Sequence, residues 1–457
     1  MEFRNKKISI AGFGKSGKSI AEILLKNGNE IFISDSGDES KFTELIKELD
    51  PTKVKFEFGG HTSKIYEDKD LIIISPGVSI YTPAIQEAIK HNVPVMGEVE
   101  IAYEMAKADI IAITGTNGKS TTVSMIDKML KDHGLNSILA GNIGTPLSYE
   151  IYNHKEADYI VAEISSFQLE SISKFRPHIA GITNITDDHT DRHHGFDNYV
   201  KAKSRIFMNQ TENDFAILNA DDENVLKAGE GIKSKVLLFS MEKEVNNGFY
   251  LKNGIVYQSE NNISKECFNI NEFKIHGIHN IKNLLTTLCV GKILNISPKE
   301  VLNSINEYKL MHHRLEFSGE KNGVKFYDDS KGTNPGAVIA GINSFSCPIA
   351  LIVGGRNKGL DFDELAKEIA QKVHTLVCIG EAGPEIGELA KKHGMKNIID
   401  CGTDFTKAIT EAYKSVENLN GCVLLSPANA SFDMFKSAEN RGDIFKEIVQ
   451  KLIKEDH

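Results

Sequence analysis

The sequence predicts an α/β fold of three domains in series, over residues 1–95, 96–309 and 310–457. Length, apolar patterning and two glycine-rich turns carry that expectation. At 457 residues the chain is too long for one small core. Short β-branched and apolar runs alternate with helical patterns throughout, as in parallel sheets covered by helices. Each glycine turn follows such a run and precedes a helical pattern, the position at which open α/β sheets take ligands.

The first domain reads as Rossmann-like. "KISIAGFG" is a strand running into a turn, a helix follows over 18–27, "EIFISD" is the next strand, and "DLIIISPG" leads to a helix over 82–91. The turn Gly12-x-Gly14-x-x-Gly17, with Asp35 closing the next strand, imitates the dinucleotide fingerprint. It is either a plain strand–helix connection or a ligand loop, and alone it is a weak signal.

The second domain opens on "ADIIAITGTNGKSTT" and continues through "ADYIVAEISS" and "HIAGITNIT", with a small β excursion over 240–275. Its glycine loop departs from the ordinary G-x-x-x-x-G-K-[ST] spacing, because only two residues separate Gly115 from Gly118-Lys119-Ser120. The order of strand, loop and helix is nevertheless that of a phosphate cradle, which makes this the central P-loop domain. There the backbone N–H groups of 116–120 and the helix N-terminus would surround phosphate oxygens, Lys119 would reach the terminal phosphates and Ser120 could ligate Mg²⁺. Glu163 falls at the C-terminal end of the next strand. It is either a solvated or capping carboxylate or a magnesium ligand, depending on what the loop does.

"NITDDHTDRHHGF" follows the third strand with acids at 187, 188 and 191 and histidines at 189, 193 and 194. It is a polar loop, or one in which a histidine serves a hard metal or phosphate; zinc is disfavoured, since no cysteine accompanies it. In "FDNYVKAKSRIF", Lys203 lies on the helical wheel between Tyr199, Ile206 and Phe207. From spacing alone this is a lysine snorkelling out of an apolar arc. A buried one would have a lowered pKa, and its neutral amine could add to CO₂ to give a metal-binding carbamate.

The third domain, again Rossmann-like, repeats the theme with "VKFYDDS", "IALIVGG", "TLVCIG", "NIIDC" and "GCVLLSPA". Net charge −10 and pI near 5.9 argue against a general nucleic-acid binder. Six scattered cysteines without C-x-x-C spacing fit reduced thiols in the cytoplasm. The N-terminus does not read as a signal peptide, and no segment approaches the ~18 apolar residues of a membrane span.

"GTNGKSTT", "EISSFQLE", "NITDDHTDRH", "HHRLEF", "DDSKGTNPGA", "GGRNKG" and "SPANASFDMFK", in that order, resemble the Mur ligases over nearly the whole chain. The short G-x-x-G-K-[ST] loop is that family's own. The resemblance implies a uridine-nucleotide domain, an ATPase domain and an amino-acid domain, so the first glycine turn would serve UDP rather than NAD. It implies an ATP-dependent amide ligase acting through an acyl phosphate, closest to the branch that adds D-glutamate to UDP-N-acetylmuramoyl-L-alanine. A cytoplasmic monomer without nucleic-acid or membrane partners is expected.

By that resemblance ATP would be held by Gly115, Thr116, Asn117, Gly118, Lys119, Ser120 and Thr121, with Asn283 beside the base and with Arg314 and Asp329 contributed by the last domain, whose closure would help assemble the site. Ser120 and Glu163 would hold one Mg²⁺, and His189 with a carbamylated Lys203 a second. Lys119, Glu163, His189 and Lys203 form the implied catalytic set. Lys15, Ser16, Asp35, Gly77 and Asn142 would bind the UDP substrate. Lys331, Thr333, Lys358, Ser431 and the backbone near Phe432 would hold D-glutamate, an acidic ligand suited to cations and N–H or O–H donors. Two positions depart from relatives: Gly37 stands where an arginine is frequent, and Ala438 where an aromatic residue is common.

Other members of the family are less well matched. The diaminopimelate-adding branch is marked by D-N-P-R, absent here, and the alanine- and dipeptide-adding branches differ at "DDSKGTNP". Folylpolyglutamate synthase lacks an equivalent first domain. Outside the family, an NAD-dependent oxidoreductase would leave the loop at 115–120 unexplained, and a non-catalytic nucleotide-binding regulator would not need two metal sites.

Overall fold

Three sheets organise the chain, and in each the strand order reverses beside a glycine-containing turn. The computed structural model describes residues 3–50, 52–188, 190–275, 277–308, 312–357 and 360–454. His189 and Lys358 lie outside the described residues.

The first sheet contains β1 (Lys7–Ala11), β2 (Glu30–Asp35), β3 (Val54–Phe58), β4 (Leu71–Ile74) and β5 (Val95–Gly97), all parallel, in the order β3-β2-β1-β4-β5. The reversal between β1 and β4 opens a crevice at their C-terminal ends. The helix expected over 18–27 runs Lys15–Lys26, starting at the turn itself because extended Gly14 forms its N-cap. The second expected helix runs Pro83–Lys90, with proline in the first helical turn, where its missing N–H costs no hydrogen bond.

The second sheet contains β6 (Asp109–Thr114), β7 (Ser137–Gly141), β8 (Tyr159–Glu163), β9 (Ile179–Ile182), β10 (Phe215–Asn219), β11 (Lys235–Ser240), β12 (Gly248–Lys252), β13 (Ile255–Glu260) and β14 (Ile263–Asn269). Their order is β14-β13-β12-β11-β10-β9-β6-β8-β7. From β7 to β12 neighbours are parallel, and β12, β13 and β14 are antiparallel. The β excursion expected over 240–275 is therefore an extension of the same sheet. Its first hairpin turns at Asn253-Gly254, both at positive φ (50° and 76°), the conformation that the right-handed strand twist favours. β6 lies inside the sheet, between β9 and β8, and is buried after its first residue, which explains its continuous apolar run.

The third sheet contains β15 (Glu316–Lys321), β16 (Val324–Asp328), β17 (Ile349–Gly354), β18 (Thr375–Ile379), β19 (Ile398–Asp400) and β20 (Cys422–Ala428), in the order β15-β16-β20-β17-β18-β19. All neighbours are parallel except β15 and β16. β20, last in sequence, inserts between β16 and β17. This gathers the loops that begin at Asp329, Gly355 and Asn429 at one end of the sheet.

The chain forms two compact units. Met1–Ile185, Tyr199–Ile270 and Leu284–Ile305 make the first, which contains the first two sheets. Thr186–Asn198, Asn271–Asn283 and Asn306–His457 make the second. Within the first unit a buried carboxylate ties its two sheets. After β5 the chain enters the helix Glu98–Met105, and the fully buried Glu100 accepts hydrogen bonds from the backbone N–H groups of Ser173 (2.9 Å), Lys174 (2.5 Å) and Phe175 (3.0 Å). Glu100→Ala should lower unfolding free energy by about 2–4 kcal/mol, because three N–H groups lose a charged acceptor. Urea denaturation checks this, and an unchanged midpoint would refute the clasp.

Among the described residues no helix is long and apolar enough to cross a membrane. The six cysteines are free, four of them buried.

Candidate active site

The loop after β6 is shaped by what lies directly beneath it. Gly115 has φ +144°, and a Cβ there would sit 2.0 Å from Thr183 Oγ1, so both conformation and space demand glycine. Gly118 (φ +85°) turns the chain into the helix Lys119–Asp132, whose N-cap has no side-chain cap. Its first N–H groups thus point into the loop, the arrangement that suits an anion.

Thr183 and Asn184, just after β9, pin the loop. Asn184 Oδ1 accepts from Asn117 N (2.9 Å), its Nδ2 donates to Asn117 O (2.9 Å), and Thr183 Oγ1 donates to the same carbonyl (2.7 Å). Sequence reasoning passed over both; their place at the C-terminal end of a strand beside the loop was the available signal. Lys119 Nζ donates to Gly115 O (3.0 Å) and Thr116 O (2.8 Å), which brings its ammonium over the loop, and Ser120 is buried in the first helical turn.

Lys203 corrects the snorkelling expectation. It is 1% exposed, and Nζ donates to Gly115 O at 2.7 Å and lies 4.5 Å from the centroid of the Tyr199 ring. Tyr199 Oη in turn pairs with Thr116 Oγ1 at 3.1 Å. The α-helix carrying Lys203 ends at Ser204 and tightens to a 3₁₀ turn over Arg205–Phe207.

Glu163 ends β8, in register with Ile113 of β6, and is 2% exposed. Its Oε1 accepts from Asn142 Nδ2 (2.7 Å), while Oε2 is buried with no hydrogen-bond partner among the described residues. A buried carboxylate oxygen left so is costly unless a cation or donor meets it. With the Ser120 hydroxyl, this is a donor set of the oxygen type that Mg²⁺ prefers.

The β1/β4 crevice holds a cavity of about 450 Å³, and Lys15, Ser16, Asp35, Gly77 and Asn142 all line it, together with Gly12, Ser75 and Gln168. Gly17 permits the tight turn, since a Cβ there would lie 2.0 Å from Gly12 O. Asp35 is used structurally as well: Oδ2 accepts from Phe13 N (2.6 Å) and Oδ1 from Gly37 N (2.7 Å). A Cβ at Gly37 would meet the Phe42 ring at 3.0 Å, so that ring already fills the space a larger residue would need. Asn142 faces this cavity and also bonds Glu163. Asn142→Ala should lower unfolding free energy by about 1–3 kcal/mol, because the buried Glu163 loses the donor that meets its Oε1; an unchanged urea midpoint would refute the contribution of this contact.

In the second unit Asp329 directly follows β16 and is buried. Burial pushes its carboxyl up to about 7, against the opposing effects of the Ser426 hydroxyl, which donates to Oδ2 at 2.6 Å, and of the Arg314 charge. Arg314 is half-buried. Asn283 is buried and donates to Asn280 Oδ1 (3.1 Å), a second buried asparagine one helical turn earlier that sequence reasoning missed. Burial holds His279, on the same helix, down at about 4, and so neutral.

Lys331, Thr333, Ser431 and Phe432 lie on two of the three loops gathered around β20. Lys331 and Thr333 are half-buried, Ser431 is buried, and the Phe432 side chain is 64% exposed. Lys331 Nζ is 3.5 Å from Glu439 Oε1, on the helix Ala438–Lys454 that starts with the departing Ala438. One cluster has metal-ligand spacing among the described residues: His313, Glu316 and Asp328. Its charges are answered within the chain, because His313 Nδ1 is 2.7 Å from Asp328 Oδ2 and Lys446 Nζ 2.5 Å from Glu316 Oε2.

Comparison with known proteins covers nearly the whole chain. Residues 6–97 match the Mur ligase MurD-like N-terminal domain, 113–291 the Mur ligase middle domain and 313–429 the Mur ligase glutamate ligase domain. The chain is 40% identical over 453 residues to the UDP-N-acetylmuramoylalanine–D-glutamate ligase of Pelotomaculum thermopropionicum, covering 99% of each. It is 42% identical over 454 residues to the protein of the same name from Thermoanaerobacter sp., covering 99% of this chain and all of that one. Among solved structures, a pseudomurein peptide ligase type C from Methanothermus fervidus aligns with TM-score 0.61 at 20% identity, over 98% of this chain and 100% of that one. The MurF ligase of Thermotoga maritima in complex with ADP gives 0.61 at 16% identity, over 99% and 96%. At those identities the solved structures speak for the fold alone.

Proposed function

Because the chain belongs to the Mur ligase family, we propose that it is an ATP-dependent ligase that joins D-glutamate to UDP-N-acetylmuramoyl-L-alanine in the cytoplasm, acting as a monomer. The choice of amino acid and nucleotide follows the names of the full-length relatives. The observation that carries the chemistry is that the Gly115 carbonyl, after β6, accepts from both Lys119 and Lys203, while Glu163 ends the adjacent strand β8 with one buried oxygen that has no partner among the described residues.

In this reading the N–H groups of the loop and the first helical turn bind the ATP phosphates, and Lys119 adds positive charge where the γ-phosphoryl group leaves. Glu163 and Ser120 would hold a magnesium ion, which supplies charge neutralisation on the phosphates. His189 and a Lys203 carbamate would serve a second. That carbamate forms when the neutral amine adds to CO₂ and releases a proton. A substrate carboxylate oxygen attacks the γ-phosphorus and ADP leaves. The D-glutamate nitrogen then attacks the acyl carbon, loses a proton, and phosphate departs from the tetrahedral intermediate.

The β1/β4 cavity takes the UDP end. Lys331, Thr333, Lys358, Ser431 and the backbone near Phe432 take D-glutamate, whose two carboxylates need such donors. Asn283, Arg314 and Asp329 are assigned to ATP. The boundaries 1–95, 96–309 and 310–457 separate the three roles.

The test is phosphate release with ATP, Mg²⁺, UDP-N-acetylmuramoyl-L-alanine and a panel of amino acids. Turnover with D-glutamate is expected. Turnover only with L-lysine or diaminopimelate would reject the substrate, and none with any amine would reject the enzyme in favour of a nucleotide-binding regulator.

A further inference from the structure

Among the described residues the largest fully buried side chain is charged. Arg441, in the first turn of the helix Ala438–Lys454, has no exposed surface. Its Nη2 donates to Ser330 O (2.9 Å) and to Asn429 O (3.2 Å). Ser330 lies between Asp329 and Lys331, and Asn429 lies two residues before Ser431. One guanidinium head therefore joins the loop after β16 to the loop after β20.

The third loop packs against the same group. A Cβ on Gly355 would come within 3.3 Å of Arg441 Nη1 and 2.3 Å of Ala430 O, and Arg356 N donates to Ala430 O at 2.8 Å. At the end of β20, Ala428 has φ +63°, a conformation unusual for a residue with a side chain. Among the described residues Nε and Nη1 of Arg441 have no hydrogen-bond partner, and Ser330 Oγ, Asn429 Oδ1 and Asp433 Oδ1 are also buried without one. A guanidinium that is fully buried and only partly bonded is costly to the fold. Surface packing would not require it, and an apolar residue of similar volume would fill the space.

We propose that Arg441 is a positioning residue for amino-acid recognition: by bonding the carbonyls of Ser330 and Asn429 it sets Lys331 and Ser431 at the separation that the incoming amino acid needs. Arg441 does not touch the ligand. Both bonds leave Nη2, whose hydrogens are fixed in the plane of a guanidinium with Nη1 set against the loop at Gly355, an orientation that a lysine's freely rotating ammonium does not fix. The inference rests on the assignment of Lys331 and Ser431 to the amino acid.

Arg441→Met and Arg441→Lys, in the full-length chain, test it through steady-state kinetics with each substrate varied. The methionine variant should raise the amino-acid KM at least tenfold and leave the KM of the UDP substrate within twofold. The lysine variant should fall between it and the wild type. Folded variants whose amino-acid KM stays within twofold of the wild type overturn the proposal, as does an equal rise in both KM values. A chain that folds with neither substitution places Arg441 in the fold itself and rejects the positioning role. The KM read is that of whichever amino acid the wild type uses. A wild type that uses D-glutamate alongside unaffected variants rejects only this inference, whereas a wild type that uses none rejects both this and the proposed function.

Discussion

Lys203→Ala should reduce turnover by about a thousandfold, the scale of several kcal/mol of lost charge stabilisation, and short-chain carboxylates such as formate or acetate should restore part of it. The position explains both halves. Lys203 is fully enclosed and its amine meets Gly115 O at 2.7 Å, so truncation leaves a cavity that opens on the phosphate loop. A small carboxylate that enters this cavity presents the oxygens a carbamate would have presented. The mutant also loses a buried hydrogen bond, so its thermal unfolding must be followed alongside. Rescue by acetate and not by chloride separates chemistry from stability. Wild-type-like turnover in the mutant would remove Lys203 from the reaction.

Asp329→Asn should act in opposite directions on stability and turnover. The carboxyl of Asp329 is pushed up to about 7 in the folded chain, against an ordinary value of 3.8. A raised value means that the folded state favours the protonated form. The stability associated with that form is fully present below about pH 4 and is lost as pH rises to about 7. Asparagine cannot ionise and can still accept from the Ser426 hydroxyl. At pH 8 the mutant should therefore be more stable than the wild type by up to about 4 kcal/mol, three pKa units at 1.36 each. The difference should vanish near pH 4. Turnover at pH 8 should fall roughly ten- to a hundredfold, as expected when a charged hydrogen-bonding partner is lost. Parallel stability curves for the two proteins across this range would refute the assignment.

The two phosphate-loop signals that were legible in sequence, a β-branched strand and a glycine run opening a helix, depend only on near neighbours in the chain. So did the hairpin at Asn253-Gly254. The insertion of β20 between β16 and β17 was not legible, because it pairs residues as distant as Lys325 with Cys422 and Ile349 with Cys422 and leaves no local pattern. Lys203 shows the boundary within one residue. The helical wheel placed it in an apolar arc, but its partner, Gly115 O, is 88 residues away and the wheel has no term for it. Arg441 reads in "SAENRGD" as one more charge on a solvated helix start, and only the packing of three loops around it shows otherwise. The raised pKa of Asp329 has the same origin, since burial depends on the whole sheet. Asn184 and Asn280 were overlooked for a simpler reason: a buried asparagine has no distinctive sequence neighbourhood.

Asn142 has a wider consequence. Its side-chain amide bonds the Glu163 carboxylate and its residue lines the crevice beside β1, within one compact unit. A ligand that reorients this amide alters the electron-pair donor available next to the phosphate loop. By thermodynamic linkage the effect must run equally in both directions. For such a ligand, occupancy of the crevice and occupancy of the phosphate loop would be linked, and an inhibitor optimised against one in isolation would change its apparent affinity with the concentration of the other's ligand.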